Sequence, residues 1–189
     1  MNSAKPDSTA ELAEPGGAVG ETIMANQETK TPRVMGVGHV ALSARDPAAL
    51  AEFYRGVLGF QVVPTETSDL GENVFLSSHP AEVSVDLALF GNPAFQHTAF
   101  EVRSLSDLRA FHQRVLDRRV PVKLALNHGV SLSFYFDDPE GHLIEVYWST
   151  GIDCLPRHGE PIDLTLPEEA LRRDVQEVAA PYELEEERL

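Results

Sequence analysis

GHVALSARDPAALAEFYRGVL, residues 38–58, and QHTAFEVRSLSDLRAFHQRVL, residues 96–116, are one pattern written twice. Sliding the first onto the second aligns His39 with His97, Ala41 with Ala99, Arg45 with Arg103, Leu50 with Leu108, Phe53 with Phe111, Val57 with Val115 and Leu58 with Leu116. Each copy opens on alternating, strand-like residues and continues as an amphipathic helix. In the first, Asp46 suits an N-cap, Pro47 a first helical residue and Gly59 a stop. In the second, Ser104 with Asp107 resembles a capping pair. Strand-like segments follow both helices: GFQVV (59–63), NVFLSS (73–78) and VSVDLALF (83–90) after the first, then VPVKLAL (120–126), SLSFYF (131–136) and HLIEVYW (142–148) after the second. The repeat therefore predicts an α+β fold of two βαβββ modules, 34–91 and 95–150. Side by side they make a mixed sheet with helices on one face and a concave, open cup on the other.

Outside 34–150 the composition changes. Residues 1–33 are rich in Ala, Glu, Pro, Gly, Ser and Thr without apolar periodicity, which reads as a flexible tail. Residues 151–189 read as a Pro-punctuated extended arm and an acidic helix that starts at Pro167, carries Glu168 and Glu169 in its first turn and ends at Pro181; ELEEERL is a solvated end.

The formal charge of −15 argues against nucleic acid and anionic membrane as partners. A single cysteine, Cys154, rules out an internal disulfide framework and fits a reducing compartment. No segment is apolar for long enough to span a bilayer, and the opening MNSAKPDSTAELAEPGG lacks the order of a secretion signal. The expectation is a cytoplasmic protein.

Strand alternation assigns side chains to the cup. His39, Ala41 and Ser43 share one side, as do His97, Ala99 and Glu101, and as do Ser131, Ser133 and Tyr135; the apolar sets between them cover the helices. DDPEG (137–141) reads as a type I turn. A hairpin symmetric about residue 140 sets Tyr135 opposite Glu145. Glu145 interrupts an otherwise apolar strand, and a carboxylate buried there needs a cation. Two imidazoles and a carboxylate from three strands form a facial triad with three open positions, suited to Fe(II) or to Mn(II), Co(II), Ni(II) or Zn(II). His39, His97 and Glu145 are the expected ligands.

These stretches resemble the vicinal-oxygen-chelate superfamily, which includes glyoxalases, fosfomycin- and bleomycin-resistance proteins and type I extradiol dioxygenases. GHVALSARDPAALAEFYRGVLGF resembles its opening strand and helix, and FYFDDPEGHLIEVYW its closing hairpin. The resemblance implies the same three ligands. NHGVSLSFYFDDPEGHLIEVYW resembles the extradiol branch, which implies that His128 contacts the oxygen ligand and that Tyr135 holds a substrate oxygen. One departure stands out: Val85 or Ser84 occupies the place of the branch's usual acid/base histidine. His79 replaces it only if its loop folds back. Phe95 and Trp148 are further candidates for substrate contact.

The function expected is an Fe(II)-dependent extradiol dioxygenase that uses O2 to cleave a small catechol-like aromatic diol. Competing readings are a redox-neutral lyase or isomerase of the glyoxalase type and a small-molecule-binding resistance protein. The cup is formed either by the two modules of one chain or across a homodimer or higher homo-oligomer.

Overall fold

The computed structural model describes residues 32–64, 72–79, 85–155 and 159–182. Apart from Pro32 and Arg33, the expected N-terminal tail lies outside these residues, as do ELEEERL and Ser84. The first module runs β1 (Val34–Ser43), α1 (Pro47–Leu58), β2 (Gln61–Val63), β3 (Asn73–Ser77) and β4 (Leu87–Phe90). The second runs β5 (His97–Val102), α2 (Leu105–Asp117), β6 (Val122–Asn127), β7 (Ser131–Asp137) and β8 (Leu143–Ser149). A two-residue strand, β9 (Glu160–Pro161), and the helix α3 (Glu168–Ala179) follow. None of the described helices is long and apolar enough to cross a membrane.

Both helix starts follow from local chemistry. The Asp46 carboxylate accepts from the Ala49 amide at 2.9 Å, and the Ser104 hydroxyl from the Asp107 amide at 3.1 Å. Each satisfies an amide that the first helical turn leaves without a partner. Gly59 closes α1 with φ 76°, a left-handed stop that costs glycine little.

Among the described residues nine strands form one sheet in the order β2-β3-β4-β1-β5-β8-β7-β6-β9. Within each module the first strand pairs with the last in parallel, β1 with β4 and β5 with β8. The modules join through the antiparallel pair β1 and β5, which sets their opening strands side by side at the middle of the sheet. The repeated histidine strands thus become neighbours.

The helix side of the sheet holds the core. In the first module Leu76, Leu87 and Leu89 pack with Ala51 of α1. In the second, Val102, Leu132, Phe134 and Val146 pack with Leu105, Leu108 and Val115 of α2. The C-terminal segment joins this second core: Leu164, Leu171 and Val175 belong to it, and Ala179 is fully buried. Spacing of four residues puts 171, 175 and 179 on one stripe of α3. β9 extends the sheet beside β6, with Leu126 opposite Pro161 and Asn127 opposite Glu160. The Asn127 side chain donates to Asp174 of α3 at 3.1 Å.

His112 of α2 lies in this core, edge-on to Phe134 at 5.2 Å. Burial lowers its imidazole below the ordinary value of 6.5, and the nearby Asp163 charge offsets part of that. The folded protein therefore releases this proton at a lower pH than the unfolded chain does. Between the two values the unfolded chain binds more protons, so stability falls as pH drops below 6.5. The expected result is that His112→Leu removes part of that acid sensitivity in urea denaturation. Equal pH slopes for both proteins would clear His112 as its source.

Candidate metal centre

The β1–β5 register sets His39 opposite Ala99 and His97 opposite Ala41. Ala99 also pairs with Glu145 of β8 in the parallel ladder. His39, Ala99 and Glu145 are therefore successive positions across three adjacent strands, on the same side of the sheet. Ala41 and Ala99 are both 0% exposed. Their short side chains lie on the same side of the sheet as the two imidazoles.

Three donor atoms meet there. His39 Nε2 is 3.2 Å from His97 Nε2, and Glu145 Oε2 is 3.2 Å from the first and 3.0 Å from the second. Glu145 is 2% exposed, and its Oε2 has no hydrogen-bond partner. His97 is oriented by its other nitrogen, since Nδ1 donates to the Phe95 carbonyl at 2.7 Å. That hydrogen bond leaves the Nε2 lone pair of a neutral ring facing the other two donors. Three lone-pair atoms this close repel one another unless a cation stands among them. A cation held at about 2.1 Å by three donors at right angles separates them by about 3.0 Å, against about 3.4 Å for a tetrahedral set. The spacing therefore fits one face of an octahedron, and the donor chemistry suits a divalent transition metal.

Burial alone would raise the Glu145 carboxyl. With no metal present the two imidazoles are free to turn protons toward it, and that outweighs burial and holds the group well below the ordinary carboxylate range. Its other oxygen, Oε1, accepts from Tyr135 Oη at 2.8 Å, and the same hydroxyl lies 3.3 Å from His128 Nε2. The β7–β8 register is the expected one, with Tyr135 opposite Glu145. Burial first, and then the Glu145 charge, push the Tyr135 phenol well up, so it remains a protonated donor. His128, Tyr135 and Glu145 form a continuous chain ending at the donor cluster.

Two flanks border the cluster. On one, Phe90 lies 6.4 Å from the His97 ring, 5.5 Å from Phe95 and 5.7 Å from Phe75. On the other, Tyr147 lies 5.5 Å from the His39 ring. Tyr147 depends on a glycine: a Cβ on Gly38 would come within 1.9 Å of its hydroxyl oxygen. Burial and the Glu101, Glu145 and Asp86 carboxylates all raise the Tyr147 phenol.

Trp148 is the correction to the expected set. It packs against the core on the helix side, with Arg172 of α3 stacked 5.2 Å above its ring. An odd offset from Glu145 along the strand puts it on the opposite face, whereas the even offset of Tyr147 puts that ring in the cup. Parity held this signal in the sequence. Phe90 was readable in the same way, as the last residue of a strand whose Leu87 and Leu89 face the core. His79 is exposed; its ring meets Ser78 Oγ at 2.9 Å and its amide donates to Ser77 Oγ at 3.1 Å. Ser78 in turn holds Asp86, with its amide at 2.6 Å and its hydroxyl at 2.7 Å from Oδ2. His79 belongs to that turn. Val85 is half-buried at the entrance to β4 and brings no ionisable group.

The model of the Glyoxalase/Bleomycin resistance protein/Dioxygenase superfamily matches residues 36–146. Biphenyl-2,3-diol 1,2-dioxygenase 3 of Rhodococcus globerulus is 29% identical over 130 residues, 62% of this chain and 64% of that protein. Among solved structures, the Mn(II)-bound glyoxalase from Novosphingobium aromaticivorans aligns with a TM-score of 0.53 at 21% identity, covering 70% of this chain and 43% of that one. A catechol 2,3-dioxygenase aligns with a TM-score of 0.51 at 24% identity, covering 69% of this chain and 49% of that one. The chain thus spans less than two thirds of the length of these relatives, and the two structural likenesses speak for the fold. With a family match across 36–146 and two βαβββ modules joined at their opening strands, this chain belongs to the Glyoxalase/Bleomycin resistance protein/Dioxygenase superfamily.

Proposed function

We propose that the chain is a non-haem Fe(II)-dependent dioxygenase of the extradiol type, which uses O2 to open the ring of a catechol-like aromatic diol. The observation that supports this most is the His39–His97–Glu145 face, with donors 3.0–3.2 Å apart, coupled through Tyr135 to His128. Iron held by His39, His97 and Glu145 would supply electron transfer between the diol and O2. The remaining roles fall to the chain. Glu145 supplies negative charge to the ion, and the Phe95 carbonyl keeps the His97 ring in register. Tyr135 offers a proton that its surroundings hold in place, and His128 Nε2 stands near enough to exchange one with it. Phe75, Phe90 and Phe95 present an aromatic flank suited to a flat ring. The relatives whose names include biphenyl-2,3-diol and catechol support the same substrate class.

A redox-neutral reaction of the glyoxalase type is the second reading. It is favoured by Val85, which leaves the entrance to β4 without an imidazole of its own. Anaerobic reconstitution with Fe(II), followed by O2 uptake with a panel of catechols, separates the two. The expected result is uptake with a yellow ring-fission product. A full equivalent of tightly held iron with no uptake would overturn the dioxygenase reading in favour of the redox-neutral one.

A further inference from the structure

The C-terminal arm meets the site at Gly159, beyond the residues 36–146 that the family match covers. Gly159 has φ +101°, a conformation that L side chains rarely adopt. A Cβ built on it would lie 2.7 Å from His128 Cε1, 3.0 Å from His128 Nδ1 and 2.9 Å from Leu126 Cβ. The backbone of the arm is thus in direct contact with one edge of the imidazole. The arm is also held just beyond that contact. β9 pairs with β6 immediately after Gly159, and the Ile162 amide donates to the Ala125 carbonyl at 3.0 Å. His128 itself is anchored by its own amide, which donates to the Ser131 carbonyl at 2.8 Å. Its opposite ring edge carries Nε2, 3.3 Å from Tyr135 Oη.

We propose that Gly159 is a positioning residue: the arm's close approach there wedges the His128 imidazole so that Nε2 stays on the Tyr135 hydroxyl. The ring lies between a backbone wall on its Nδ1–Cε1 edge and the phenol on its Nε2 edge. Any other residue at 159 would force the ring off its rotamer or push the arm off β6. The placement stands on geometry alone; its consequence for turnover rests on the proton-transfer role given to His128 under the proposed function.

The test is a four-protein cycle in the full chain: wild type, Gly159→Ala, His128→Ala and the double variant. In the metal-free proteins, histidine-selective 15N spectra and Tm are measured; in the Fe(II)-loaded proteins, kcat, KM and metal content. Gly159→Ala should shift the His128 imidazole signals and lower Tm. The double variant should recover part of that Tm loss relative to His128→Ala, because removing the ring relieves the contacts at 2.7 and 3.0 Å while the backbone strain and the 2.9 Å approach to Leu126 Cβ remain. Turnover should fall about 10-fold or more with KM and metal content nearly unchanged, in line with a misplaced acid/base group. On the His128→Ala background, Gly159→Ala should change kcat less than about twofold, since a positioning residue acts only through the group it positions. If Gly159→Ala does not fold, recovery of a folded protein by the double variant is itself the supporting result. An unmoved His128 signal, or the same Tm loss on both backgrounds, overturns the proposal. Coupled spectra and Tm with unchanged turnover would uphold the positioning of the ring and instead remove His128 from the reaction.

Discussion

Replacing Glu145 with alanine is expected to abolish stable metal binding while the protein still folds. Removing a group that merely orients a ligand typically weakens a metal site about 10- to 100-fold, and loss of one of three protein ligands should exceed that. The fold should survive because Glu145 supports the site more than the core. Its Oε2 faces the two imidazoles, 3.2 and 3.0 Å away, and Val146 is the neighbour that packs on the helix side. Alanine also removes a buried charge whose burial is unfavourable. Tyr135 Oη keeps His128 Nε2 as a neighbour at 3.3 Å. His97→Ala should behave alike, and Glu145→Gln, which keeps the size and removes the charge, should also lose the metal. Metal content after anaerobic reconstitution and gel filtration, together with far-UV circular dichroism, checks all three. A full equivalent of iron retained by Glu145→Ala or His97→Ala would disprove the triad.

Leu171→Ala should cost about 2–5 kcal/mol, the usual range for a leucine truncated at a site that cannot collapse around the loss. Leu171 is 0% exposed and belongs to the core cluster that includes Leu105, Leu108, Leu132 and Phe134. The consequence reaches the site, because the same C-terminal segment holds β9 against β6 and brings Gly159 to His128. Urea denaturation gives the number, with Glu177→Ala on the exposed side of the same helix as a control expected within about 0.5 kcal/mol of wild type. A Leu171→Ala loss below about 1 kcal/mol would mean that α3 does not complete this core in solution.

Local rules carried the modules and the convergence of the three candidate donors. The repeat, the caps at Asp46 and Ser104 and the stop at Gly59 are short-range features, and each half of the sheet follows from them. His39, His97 and Glu145 were legible because strand parity and one symmetric turn are enough to aim side chains at the same face. The same parity, applied two residues further along β8, would have chosen Tyr147 over Trp148.

What the chain by itself determined is the kind of module, its duplication and the identity of three convergent donors. Only the tertiary structure decided how the modules meet and what the C-terminal segment does. Joining β1 to β5 brings donors separated by 58 positions in the chain to 3.2 Å, and no local preference encodes that pairing. The arm shows the same limit. Its prolines and acidic residues suggested an extended arm and an acidic helix without saying what they cover, and the Leu171, Val175 and Ala179 stripe is buried in the second core. The close approach of Gly159 to His128 follows from that docking. Contacts between segments far apart in sequence are selected by the total area they bury and the space they leave, and those are properties of the assembled fold.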